Sequence, residues 1–311
     1  MMGQKTFITI FCLLSFCSLN ANYANSVSTS SPLAAQSLLL DIASTGQSYI
    51  AVGQRGHVLI ADQCQSTWQQ VIVPTQATLN AVYFIDESNG WIVGHDAIIL
   101  KTDNGGKDWR LVHENIESGE ALFDVVFLDK QHGLAVGAYG SYLYTSDGGE
   151  NWETKTLYGE DDFHLYSISV MPSSELVVSG EAGAVYLSVD RGDRWEKLKV
   201  PYDGSFFGSL ALSDDSLLVY GMRGHVYATP DLGYSWTKMS INTQNSLSAA
   251  LQSSSGSVVM VGDAGTLFYS TDGETLVRKQ STQRNHRVGL TECKDGSFIA
   301  VGEAGIEKIE F

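Results

Sequence analysis

The residue types best suited to chemistry fall together in Thr145–Trp152, T-S-D-G-G-E-N-W, where a hydroxyl, a carboxylate and an indole share one short stretch. A carboxylate so placed could act as a general acid or base, and two acids at a suitable separation suffice for glycoside hydrolysis. The pattern recurs, however, as Thr102–Trp109, Ser188–Trp195 and Thr229–Trp236, with degraded copies at Ala61–Trp68 and Ser270–Leu276. Asn104 and Gln63 take the acidic place in two of the copies, so the position does not require a carboxylate. A repeated device that tolerates loss of its acid reads as a turn. Ser188 and Asp190 can bond turn amides, Gly192 can take a positive φ, and Trp195 can pack the strand that follows onto its own sheet or the next. We therefore expect structural roles for Asp147, Trp152, Asp190, Trp195, Asp231 and Trp236, and neither a catalytic nor a metal role.

The elements that must position these residues repeat with them. A glycine closes a short apolar run at Gly53, Gly94, Gly137, Gly180, Gly221, Gly262 and Gly302, a step of 40 to 43 residues. Each unit holds four short segments rich in Val, Ile, Leu, Phe or Tyr and bounded by Gly, Asp, Asn or Ser. Four antiparallel strands at this period make a propeller blade. The fold expected is an all-β, seven-bladed β-propeller of four-stranded blades. The blades fall at roughly 38–76, 77–118, 119–163, 164–204, 205–244, 245–284 and 285–311. The last unit supplies three strands, Val288–Glu292, Phe298–Gly302 and Glu307–Phe311. An open edge exposes unpaired backbone groups, so residues 31–37 are expected to supply the fourth strand and close the ring.

The recurrent motif resembles the Asp-box, or bacterial neuraminidase repeat, S/T-x-D-x-G-x-x-W. In proteins that carry it the motif lies on a peripheral turn, away from any active site. Gly90-Trp91-Ile92-Val93-Gly94 followed by T-D-N-G-G-K-D-W, and His132–Gly137 followed by T-S-D-G-G-E-N-W, are similar to the repeats of the photosystem II stability and assembly factors. These are lumenal seven-bladed propellers of chloroplasts and cyanobacteria, with relatives in bacteria that do not photosynthesise. The resemblance covers residues 38–311. It implies an exported, non-enzymatic scaffold that binds a membrane-protein subunit, or its exported loop or tail, during assembly. The family's basic recognition face is a point of departure, because this chain is acidic. The alternative is a carbohydrate-binding or sialidase-like propeller. A sialidase needs three arginines, a Tyr–Glu pair, an acid/base Asp and an early Phe-Arg-Ile-Pro segment on six blades, and that segment is missing here.

One face of such a ring carries the Asp-box turns and repeats its chemistry. The other carries the turns after the repeated glycine and the starts of the innermost strands, and it varies. Variation on a repeated frame is where a binding surface is written. Blades one and five share G-x-R-G-H-V, which places Arg55, His57, Arg223 and His225 at equivalent positions. Tyr139 occupies the third turn. Alignment of the innermost strands puts Asn80, Phe123, Tyr166, Phe207, Leu247 and Arg287 at matching places near the channel mouth. We take Arg55, His57, Phe123, Tyr139, Tyr166, Phe207, Arg223, His225 and Arg287 as candidate partner-binding residues.

The formal charge is −16, which argues against a phosphate backbone or an anionic membrane surface as partner. Residues 1–21 read as a secretory signal, with Lys5 ahead of the apolar run Phe7–Leu19 and cleavage after Ala21 or Ala24. Residues 22–30 read as a flexible N-terminus and 31–311 as one propeller domain. The mature protein is expected to be a monomer in the periplasm or, in a photosynthetic host, the thylakoid lumen, without direct membrane insertion. Of four cysteines, Cys64 and Cys293 lie outside the signal. Export permits their pairing, and the sequence leaves it open. No G-x-S-x-G, Gly-rich phosphate loop or His/Cys metal spacing is present, so no cofactor and no metal are expected.

Overall fold

The computed structural model describes residues 26–64, 67–273, 275–279 and 283–309. The expected signal and its two cleavage positions lie outside them. Seven antiparallel sheets follow one another along the chain, six of four strands and one of three among the described residues. Each runs in chain order from the ring centre outward. In the first blade the strands are Leu39–Ser44, Tyr49–Gly53, Val58–Ala61 and Gln69–Val71. In the third they are Leu122–Phe127, Gly133–Gly137, Tyr142–Thr145 and Glu153–Thr154.

All seven second strands are buried at every residue. They lie between two neighbouring blades, which is why they read as continuous apolar runs rather than as alternation. The core is a set of clusters, each shared by two blades. One joins Val126, Leu134 and Val136 of the third blade to Leu165, Leu176 and Val178 of the fourth. The glycine that ends each second strand answers a steric need. Gly53 is extended, with φ −176°, but a Cβ there would lie 2.3 Å from the Leu38 carbonyl oxygen, and one on Gly137 would lie 2.1 Å from that of Ala121.

The Asp-box turns are held by hydrogen bonds from their own side chains. The Thr145 hydroxyl donates to Asp147 (2.9 Å) and accepts the Gly149 N–H (3.0 Å). Asp147 Oδ1 accepts the N–H groups of Glu150 and Asn151, both at 3.0 Å. Asp190 and Asp231 receive the N–H groups of Arg194 and Ser235, each at 2.8 Å. Asn104 does the same for Lys107 (3.1 Å) and Asp108 (3.0 Å), which explains why an amide is tolerated. Hydrogen bonds from Asn151, side chain first and then backbone, hold Asp147 down at about 2. The tryptophans pack toward the preceding blade, not the following one. Trp195 of the fourth blade meets Tyr142 of the third edge-on at 5.9 Å, and Trp152 meets Phe127 of its own blade at 5.9 Å, on the side of the cluster shared with blade two.

The seventh blade departs from expectation. Its strands are Arg287–Glu292, Phe298–Gly302 and Gly305–Ile309. Residues 31–37 add no strand to it; they form a turn and one 3-10 turn, Ala34–Gln36, closed by Gln36 N–H to Leu33 O (2.9 Å). That local bond spends a backbone group that a strand would have turned toward the sheet. Ala34 instead joins Leu39 and Ile42 of the first blade and Ile299 and Val301 of the seventh in one buried cluster. Cys64 and Cys293, left open by the sequence, are bonded across the same joint with Cα atoms 6.0 Å apart. Ser28 is buried, its N–H bonds Val73 O (2.8 Å), and its hydroxyl accepts the Val73 N–H (3.0 Å).

Candidate functional site

The turns after the repeated glycines and the starts of the inner strands share one face, as the pairing of Leu39 with Gly53 and of Val52 with Val58 requires. The turns have a common build. Their second residue is left-handed, at φ 58° for Arg55, 52° for Tyr139 and 56° for Arg223. In several of them the following glycine N–H bonds the loop ahead of the next inner strand, as Gly140 does to Phe163 O (2.9 Å) and Gly56 to Ala77 O (2.9 Å). The turn backbone is therefore locked, with its second side chain at the surface. Arg55, Tyr139 and Arg223 are exposed.

The inner strands set the rest of the site. The residue paired with the repeated glycine is buried in each: Leu39, Leu79, Leu122, Leu165, Phe206, Leu247 and Arg287. The next residue lines the channel, namely Leu40, Asn80, Phe123, Tyr166, Phe207, Ser248 and Val288. Sequence alignment was correct for blades two to five and one residue off at Leu247 and Arg287. Arg287 stands where every other blade has a buried apolar residue. It is 4% exposed, and its Nε lies 3.0 Å from the Glu307 carboxylate. Its side chain lies in the core.

His57 and His225 also lie beneath their turns. His57 is buried with a ring nitrogen 2.8 Å from the Ser37 hydroxyl, and burial, then the Arg55 charge, lower its pKa. His225 is half-buried and stacks on Tyr202 at 4.0 Å. Arg55 and Arg223 sit on the first and fifth blades, and neither forms an aromatic cluster with the other candidates.

The aromatic candidates do come together. Phe123 and Tyr166 are 5.7 Å apart and Tyr166 and Phe207 5.4 Å, each pair spanning adjacent blades. His164, which sequence reasoning missed, joins Tyr139 to them. Its ring lies 4.8 Å from Tyr139 and 6.0 Å from Phe123, and its Nδ1 accepts the Tyr139 N–H (3.0 Å). The signal available was its place directly before an inner strand. The result is one aromatic surface across blades three to five, with Tyr139 66% exposed at its outer end.

Below the mouth the channel holds a cavity of 270 Å³ lined in part by Asp41, Asp124, Ser169, Ser209 and Tyr220. The two carboxylates were also missed, although an Asp inside L-L-D-I-A and L-F-D-V-V is a visible signal. Each bridges two blades. Asp41 accepts the N–H groups of Ile42 and Val82, both at 2.8 Å, and Asp124 those of Val125 and Ile168, both at 2.8 Å. Burial outweighs these bonds and raises Asp41 to about 6; burial, aided by the charge of Asp41, raises Asp124 to about 7. With their oxygens committed to backbone amides, the carboxylates serve blade geometry. Among the described residues, no group of three or more His, Cys, Asp or Glu side chains is placed to hold a metal ion. No described helix is long and apolar enough to cross a membrane.

The chain matches the family model described as photosynthesis system II assembly factor YCF48 over residues 60–120 and 109–303. It is 40% identical over 42 residues to the photosystem II assembly protein Ycf48 of Thermosynechococcus vestitus, a match that spans 14% of this chain and only 12% of that relative. Among solved structures it is similar to YCF48 from Cyanidioschyzon merolae, with TM-score 0.71, 17% identity, and 87% and 94% of the two chains covered. It is similar to YCF48 bound to D1 peptide, with TM-score 0.70, 20% identity, and 87% and 92% covered. A streptogramin B lyase structure gives TM-score 0.76 at 14% identity, with 91% and 96% covered. At these identities the structural likenesses speak for the propeller fold.

Proposed function

Because the chain belongs to the photosynthesis system II assembly factor YCF48 family, we propose that it is an exported, non-catalytic binding scaffold that assists assembly or stability of a membrane-protein complex. The family match across most of the propeller carries this reading. In it, the glycine-turn face holds an exported loop or tail of a membrane-protein subunit. Two observations support that face: its turn backbones are locked while their side chains vary, and it gathers Phe123, Tyr139, His164, Tyr166 and Phe207 into one surface. One protein of similar fold is YCF48 bound to a D1 peptide, and a peptide segment is the occupant proposed here. Aromatic rings with polar surroundings suit such a segment. The protein acts as a monomer in the periplasm or a thylakoid lumen and has no nucleic-acid partner, in keeping with its charge of −16.

The sialidase-like alternative needs arginines that converge on a substrate carboxylate. Arg287 is committed to Glu307 in the core, which favours the scaffold. Affinity capture from detergent-solubilised membranes tests it. The expected result is recovery of a membrane-protein subunit by the wild type, with loss on Tyr139→Asn and retention on Lys107→Glu of the opposite face. Recovery of no membrane protein, together with glycan binding on an array, would overturn it.

A further inference from the structure

The glycine-turn face is not evenly charged. Over blades two to four its turns and loops, residues 95–98, 114–121, 138–141, 158–164 and 181–184, contain neither lysine nor arginine. Besides Glu114 and Asp161 they carry Asp96, Glu117, Glu120, Glu160, Asp162 and Glu181. Glu117, Glu160 and Asp162 are exposed. Glu120 accepts the Ser141 hydroxyl two residues from Tyr139, and Glu181 accepts the His164 N–H at 3.4 Å, so both acids border the aromatic surface. Burial and the Glu181 charge together raise the pKa of the Tyr166 phenol. Lys197 reaches the edge of the arc, where it pairs with Asp161 at 2.7 Å and lies over the Phe163 ring at 4.7 Å, so it neutralises that one acid; Lys155 lies over the Tyr144 ring at 3.6 Å. Arg55 and Arg223 stand outside this arc, on blades one and five.

We propose that this arc is a docking surface for a basic, extended peptide segment. The inference rests on the scaffold reading above and specifies the partner's charge. The segment's Lys or Arg side chains lie over Tyr139 and the rings at the channel mouth and pair with the surrounding carboxylates. Aromatic faces present negative quadrupole potential, which attracts cations, and carboxylates without a protein counter-ion add to it. An acidic segment would meet mainly like charge here. The family resemblance implies a basic recognition face, and this surface is its opposite.

The test uses three labelled 12-residue peptides on one Gly/Leu frame, with Lys and Arg, with Ser and Gln, or with Glu at the variable places, read by fluorescence anisotropy on the full propeller. The cationic peptide is expected to bind at least tenfold more tightly than the other two. Its affinity should fall with added salt, as exposed charge pairs require. Tyr139→Asn removes the ring while keeping a residue that accepts the left-handed backbone, and it should weaken binding at least fivefold. So should the loop variant Glu160→Gln/Asp162→Asn, whose exposed positions leave the fold intact. Equal or tighter binding of the neutral or acidic peptide, no binding of the cationic one, or no effect of either variant overturns the inference. If the neutral or acidic peptide binds and Tyr139→Asn weakens it, the scaffold reading stands while the basic partner falls.

Discussion

The carboxylate of Asp124, on the inner strand of the third blade, accepts the backbone N–H of Ile168 on the inner strand of the fourth at 2.8 Å. Asp41 makes the same bridge from the first blade to Val82 of the second, also at 2.8 Å. Each acid thus fixes the angle between two blades at the wall of the channel, directly below the residues that form its mouth. The arrangement positions Phe123 and Tyr166, which follow Leu122 and Leu165 on two strands so bridged. Its electrostatic cost is visible in the raised pKa values of both acids.

That cost predicts a pH dependence. Asp41 and Asp124 have folded pKa values of about 6 and about 7 against an ordinary 3.8. The folded state therefore binds more protons than the unfolded chain between these limits, and stability falls as pH rises through that window. The contribution is full below about pH 4 and is lost as pH climbs through 6 and 7. The depressed Asp147 acts in the opposite sense and only below its ordinary value. Thermal melts should give a higher Tm at pH 5 than at pH 8. Asp124→Asn, which cannot titrate, should reduce that difference. An unchanged slope in the variant would assign the effect to general repulsion in a chain of charge −16.

The Asp-box turn yields a graded prediction. Asp147→Ala removes the acceptor for the Glu150 and Asn151 N–H groups and should cost about 1 kcal/mol, as loss of a turn or cap acceptor does. Asp147→Asn should cost less, because Asn104 already performs this role in blade two. Urea unfolding measures both. Peptide affinity should not change in either, since the turn lies on the face opposite Tyr139. A loss of affinity at full stability would return chemistry to the motif.

The Cys64–Cys293 bond joins the first blade to the last across 229 residues of sequence. Cross-links that close long loops restrict the unfolded chain most, so its removal should cost about 2–4 kcal/mol. Cys64→Ser/Cys293→Ser and the wild type in reductant should unfold at the same, lower denaturant concentration. If the double variant matched the oxidised wild type, the bond would have no part in holding the ring.

The blades were legible because each strand must meet the same neighbours at every step. The glycine at Gly53 or Gly137 is dictated by a carbonyl 2.3 or 2.1 Å from where a Cβ would be, and the tryptophan at Trp152 or Trp195 by an aromatic residue to meet. Such local demands leave a period. The site was legible only in part, because its geometry depends on register. Phe123, Tyr166 and Phe207 follow the residue paired with the glycine, so correct counting found them. Arg287 was taken for their counterpart although it is the paired residue itself. His164 and the Asp41 and Asp124 bridges were missed because their partners lie on neighbouring blades, about one repeat away. Pairing of Cys64 with Cys293 was open for the same reason, since it follows from the ring and not from either local sequence.

Arg287 offers the sharpest test of that register. Its guanidinium is buried beside Glu307, which also accepts the Asn285 amide at 2.7 Å. Arg287→Met strands the Glu307 carboxylate, which is only 10% exposed, and breaking a largely buried pair from one side should cost about 3 kcal/mol. Arg287→Met/Glu307→Leu removes both charges and should recover most of that loss, because the position is apolar in the six other blades. Peptide affinity of the folded protein should stay at the wild-type value in both variants. Loss of affinity at unchanged Tm would put Arg287 on the recognition face and would undo the one-residue correction on which the placement of Ser248 and Val288 at the channel mouth also depends.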